Sequence, residues 1–100
     1  MTESVKYIQD HLTKVELWGQ LAEEAAELAQ AALKMQRLFL DTNKPRKDVT
    51  SCLLGVIEEH ADLALCFEVL EWHDKPERDK IKNAKAERWA GQIRARFGDD

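Results

Sequence analysis

Glycine and proline are scarce in this chain, with four glycines and two prolines in 100 residues. That excludes the turn-rich pattern of a small β-sandwich and the composition of a low-complexity linker. Cysteine is limited to Cys52 and Cys66, which lack the CxxC spacing of a zinc or redox site. Read within one helix they lie about 21 Å apart along its axis, out of disulfide reach, so reduced thiols are expected. No apolar run approaches the roughly 18 residues of a membrane helix, and residues 1–10 carry neither the apolar core nor the cleavage pattern of a leader, so a cytoplasmic protein with no membrane partner is expected. Basic charge is not in excess either. The formal net charge is -4 and the pI near 5.4, which argues against general binding to nucleic acid. Strict alternation of apolar and polar residues is absent, so no strand competes with helix.

What is present is a composition of 44% hydrophobic and 34% charged residues, that of one globular domain spanning residues 1–100. A domain this small buries only roughly 60 to 65% of the surface its unfolded chain exposes. A thin core of this kind gains from association, and a homodimer or tetramer is expected. The periodicity predicts an all-α fold: a short helix over Glu3 to Leu12, then long helices over Val15 to Leu40, Val49 to Trp72 and Pro76 to Phe97. The polar segment Asp41 to Asp48 reads as a loop ending on a helix cap, and His73 to Pro76 as a second connection with Asp74 as a candidate cap. Short connections predict an antiparallel, up-down-up bundle of three main helices, with four-helix packing completed by oligomerisation.

Apolar stripes fix the expected core. Leu17, Leu21, Ala25, Leu28, Ala32, Met35 and Phe39 follow helical spacing on the second helix, and Leu53, Ile57, Ala61, Ala64 and Phe67 on the third, with Leu63 and Leu70 beside them.

One internal echo stands out: Glu23-Glu24-Ala25-Ala26-Glu27-Leu28-Ala29 against Glu58-Glu59-His60-Ala61-Asp62-Leu63-Ala64. Its flanks do not repeat, so it is not a solenoid array. Glu24 with Glu27, and Glu59 with Asp62, are i,i+3 neighbours on their helices. Gln20, Glu24, Glu27 and Ala31 form one row, and Gly55, Glu59, Asp62 and Cys66 another. Two such rows on packed antiparallel helices face each other. Four carboxylates gathered in a partly dry cleft repel unless a cation joins them, and an all-oxygen set suits Mg²⁺, with Mn²⁺ as a substitute. Gly55, one turn before Glu59, implies close helix approach or ligand access.

The paired motifs Glu23-Glu24-x-x-Glu27-Leu28 and Glu58-Glu59-x-x-Asp62-Leu63 resemble the signature of the MazG-like all-α nucleoside triphosphate pyrophosphohydrolases. The resemblance runs from Gln20 to the basic stretch ending at Trp89, with a longer spacer between the motifs than the compact family pattern. It implies that Glu24, Glu27, Glu59 and Asp62 hold Mg²⁺ on a nucleoside triphosphate, and that an activated water releases a monophosphate and pyrophosphate. Glu23, Glu24 and Glu58 are the candidate catalytic carboxylates, Glu23 and Glu58 as outer or water-orienting groups. Lys82, Lys85 and Arg88 share a basic helix side suited to phosphate, Asn83 follows by analogy with the family, Gln20 is an upstream candidate for substrate contact, and Trp18 is the tryptophan best placed to stack a base. Phosphoribosyl-ATP pyrophosphohydrolase, from the same superfamily, and a metal-binding helical regulatory module without turnover are the alternatives.

Overall fold

The computed structural model describes residues 2–40, 43–71 and 75–98, all of its regular structure helical. The helices are α1 (Glu3–His11), α2 (Lys14–Leu38), α3 (Val49–Val69) and α4 (Lys75–Phe97). Their starts are written locally. Thr2, Thr13 and Asp48 each take an extended backbone, and their side-chain oxygens accept from the amides of Val5, Glu16 and Ser51 at 3.2, 3.1 and 2.8 Å. Each satisfies one of the donors a helix start leaves free. The third helix ends three residues before the Trp72 boundary read from the sequence, because Glu71 turns into the left-handed region at φ 56° and its amide bonds back to Glu68. Trp72 and the candidate cap Asp74 lie outside the described residues.

The second and third helices pack antiparallel along their length, with Leu17 near Val69 at one end and Lys34 near Ser51 at the other. At the first end α1 lies across the close of α3. Val5, Leu17, Val69 and Leu70 are buried together there, Ile8 and Leu21 pack against them, and the Gln9 amide donates to the Val69 carbonyl at 3.0 Å. That bond occupies a carbonyl the helix end cannot satisfy itself.

Two expectations are corrected. Among the described residues the up-down-up bundle of three long helices does not form, because α4 does not pack along α2 or α3, meeting α3 only where Arg78 borders a cleft with His60, Leu63, Ala64 and Phe67, and buries none of its residues. The radius of gyration, 17.8 Å, accordingly exceeds the roughly 13 Å of a compact domain of this length. The core stripe on α3 is also displaced. Leu53 and Ile57 are about half exposed, Phe67 is less so but not buried, and Phe39, the residue that caps the end of α2, is largely exposed. The face that α3 turns to α2 instead carries Cys52, Val56, Glu59, Asp62, Leu63, Cys66 and Val69. That helix is apolar on nearly every side, so periodicity alone could not choose its inner face.

Candidate metal centre

The choice of inner face places both acidic rows in the middle of the α2–α3 seam. One carboxylate oxygen from each of Glu24, Glu27, Glu59 and Asp62 lies within 4.8 Å of the other three. The i,i+3 spacing sets each pair on its helix, and antiparallel packing brings the pairs together. Glu24 is further oriented by Gln20, whose amide donates to its Oε1 at 2.8 Å. The remaining oxygen of Glu24 and one oxygen of Glu59 are buried without a hydrogen-bond partner. Buried acceptors of this kind are costly when left unmatched.

The electrostatics agree with the geometry. Burial pushes the Glu24 carboxyl above its ordinary value, and the charges of Glu27 and Asp62 push it further. Glu27 is raised chiefly by the hydrogen bond it shares with Glu59 and by that neighbour's charge. A hydrogen bond between two carboxyl groups needs a proton, so protonation relieves the cluster as a cation would. Cys66 borders the site, and burial, with Glu24 and Asp62 beside it, pushes its thiol up. A thiol held protonated is a poor soft-metal ligand. The donor set is therefore hard and all-oxygen, which fits Mg²⁺ or Mn²⁺.

A cleft opens on each side of the carboxylates along the seam. Toward the α1 end, about 320 Å³ is enclosed by Ile8, Leu12, Leu17, Leu65, Cys66 and Val69, with Gln20, Glu24 and Asp62 at its edge. The other cleft, about 410 Å³, is polar; Glu27, Glu58 and Glu59 line it together with Lys34, Lys47 and Ser51. A Cβ built on Gly55, which also borders this cleft, would meet nothing within 4 Å. The close helix approach expected at that glycine is therefore not made.

Of the residues singled out in the sequence, the structure unites Glu24, Glu27, Glu59 and Asp62, sets Gln20 behind Glu24, and places Glu58 in the polar cleft. Glu23 lines neither cleft, and Trp18 is half exposed before them on α2. Lys82, Asn83, Lys85 and Arg88 stand on the unpacked α4, where Lys82 sits 4.0 Å from Asp79, and none of them lines either cleft. Sequence reasoning missed Lys34 and Lys47. They are thirteen positions apart on separate elements, and only their approach in the fold marks them. No protein-family model matches this chain, and neither the curated proteins nor the solved structures yield a relative.

Proposed function

We propose that this chain is a Mg²⁺-dependent nucleoside triphosphate pyrophosphohydrolase, which converts a ribo- or deoxyribonucleoside triphosphate to the monophosphate and pyrophosphate. The observation that carries the reading is the meeting of four carboxylates in one seam, with an oxygen of each within 4.8 Å of the others, and with one oxygen of Glu24 and one of Glu59 buried without partners. Glu24, Glu27, Glu59 and Asp62 would hold the ion. When bound, it neutralises phosphate charge and orients or acidifies water. Gln20 keeps Glu24 in place. Glu58, at the edge of the polar cleft, would orient a water there, whose oxygen bonds to the middle phosphorus as the bond to the leaving monophosphate oxygen breaks on the opposite side.

Association of two or more copies completes the reading. Leu53, Leu54 and Ile57 on α3, and Trp89 and Phe97 on α4, are too exposed for a chain that works alone. Sedimentation should return a dimer or tetramer, and a strict monomer would contradict this part.

The test of function is pyrophosphate release from a panel of nucleoside triphosphates with Mg²⁺. Release from at least one, abolished by chelation, is expected. If none of the common ribo- and deoxyribonucleoside triphosphates is cleaved, the reading fails.

A further inference from the structure

We propose that Lys34 and Lys47 form a pyrophosphate cradle, which binds the two outer phosphates of a triphosphate whose inner phosphate lies at the carboxylates. The substrate's identity rests on the pyrophosphohydrolase reading; the cradle itself is testable without turnover.

The two clefts flank the carboxylates on opposite sides and differ in chemistry. Lys34 and Lys47 line only the polar one, and no lysine or arginine lines the apolar one. A nucleoside triphosphate has the same asymmetry, a flat and largely apolar base at one end and a polyanion at the other. Cleavage between inner and middle phosphates at the carboxylates then leaves the pyrophosphate on the lysine side and the nucleoside against Leu17, Leu65 and Val69.

Both lysines are available. Neither takes part in an ion pair among the described residues, although the chain carries an excess of acidic groups. Their ammonium groups are point charges suited to phosphate oxygens. Lys47 stands one residue before the α3 cap, near the positive end of that helix. Asp48 already occupies the Ser51 amide, so the anion must be held by the lysines and the Ser51 hydroxyl rather than by that amide. An acidic protein that binds a polyanion needs local cations as well as a metal, and among the described residues Lys34 and Lys47 are the basic side chains that line the cleft with Glu27, Glu58 and Glu59.

Calorimetric titration of the full chain with inorganic pyrophosphate in Mg²⁺ tests this. Lys34→Ala and Lys47→Ala should each weaken pyrophosphate binding by about tenfold, as expected for loss of one charged hydrogen-bonding partner, and the double variant by more. Lys34→Arg should retain most of the binding. Titration with Mg²⁺ alone should change less than about twofold in each, because the carboxylates are intact, and circular dichroism should show unchanged helix content. Failure of the wild-type protein to bind pyrophosphate, or equal binding by the double variant, overturns the cradle. Lysine-dependent pyrophosphate binding without cleavage of any triphosphate would sustain the cradle and sink the hydrolase reading. Cleavage with the same KM in the double variant would do the reverse.

Discussion

Replacing Glu59 with Gln separates the proposed metal-binding role of the acidic cluster from a structural one. The change keeps side-chain size and removes one of four negative charges, on a residue with a buried and unpartnered oxygen. If the site binds Mg²⁺ as proposed, the ion at ten times its dissociation constant should add RT ln 11, about 1.4 kcal/mol, to the native stability of the wild-type protein. For a domain of this length that is a rise in Tm of roughly 6 to 11 °C. Loss of one ligand should weaken the ion by about 100-fold, the upper end of what even outer-shell changes cost. The same Mg²⁺ concentration then stands at a tenth of the new dissociation constant, adds about 0.06 kcal/mol, and moves Tm by less than about 1 °C. In the absence of metal the variant should be no less stable than wild type, because the Gln amide can donate to Glu27 where two carboxyl groups otherwise share a proton. Thermal melts with and without Mg²⁺ read both effects. A Glu59→Gln protein that keeps the full Mg²⁺ shift removes Glu59 from the ligand set, and one that melts far below wild type in chelator makes the cluster structural.

In chelator, stability should rise as pH falls from neutrality toward the ordinary carboxyl value of 4.5, because Glu24 and Glu27 are both held above it. A raised carboxyl binds its proton more tightly folded than unfolded, so its stabilisation is complete below the unfolded value and lost as pH rises through the folded one. Saturating Mg²⁺, which selects the charged form, should flatten that trend; a melt series showing the same slope with and without ion would refute the link. Asp48 has the opposite sign, since the Ser51 amide holds it below its ordinary value, and its contribution should disappear only at more acid pH. Gly55→Ala should stabilise the helix by about 1 kcal/mol on propensity, since the added carbon meets nothing within 4 Å; a fall in Tm would show that another element occupies that cleft. Glu71→Gly should raise stability by about 1 kcal/mol, roughly 4 to 8 °C in Tm, by removing a left-handed backbone from a side-chain-bearing residue, and denaturant melts will show whether it does.

What the sequence revealed, and what it did not, divides by the range of the physics. The four helices were legible from their periodicity and the polar, proline-bearing breaks between them, and the start at Asp48 from its cap, which acts within three residues. The acidic rows were legible for a related reason: i,i+3 spacing puts Glu24 beside Glu27, and Glu59 beside Asp62, whatever else the fold does. Their meeting required only that two long helices joined by a short loop lie antiparallel with those rows inward. The core was not legible on α3, where Leu53 and Ile57 follow the helical period as well as Val56 and Leu63 do, and only the partner helix decides between them. Lys34 and Lys47 were invisible because their approach depends on how the end of α2 faces the start of α3. The packing of α4 differs from expectation because its periodic apolar residues, Ile81, Trp89, Ile93 and Phe97, suit burial against another helix without specifying which helix that would be.

The position of the site within the seam accounts for features that would otherwise look like poor design. The buried residues lie toward the two ends of the α2–α3 pair, Val5, Leu17, Val69 and Leu70 under α1 and Cys52 near the loop. Between them, where a helix pair would normally place its largest apolar side chains, stand four mutually repelling carboxylates. Replacing such groups with packed apolar residues would be neutral or stabilising, so the charge persists against the interest of the fold. The α1 clamp, with the Gln9 bond to Val69, stabilises the seam at one end rather than at the carboxylates in its middle. Stability missing from the middle must then come from whatever binds there and from whatever covers the exposed faces of α3 and α4. If the proposed ion and a second copy bind, folding, metal binding and association are linked through one seam, and each should raise the apparent affinity of the others.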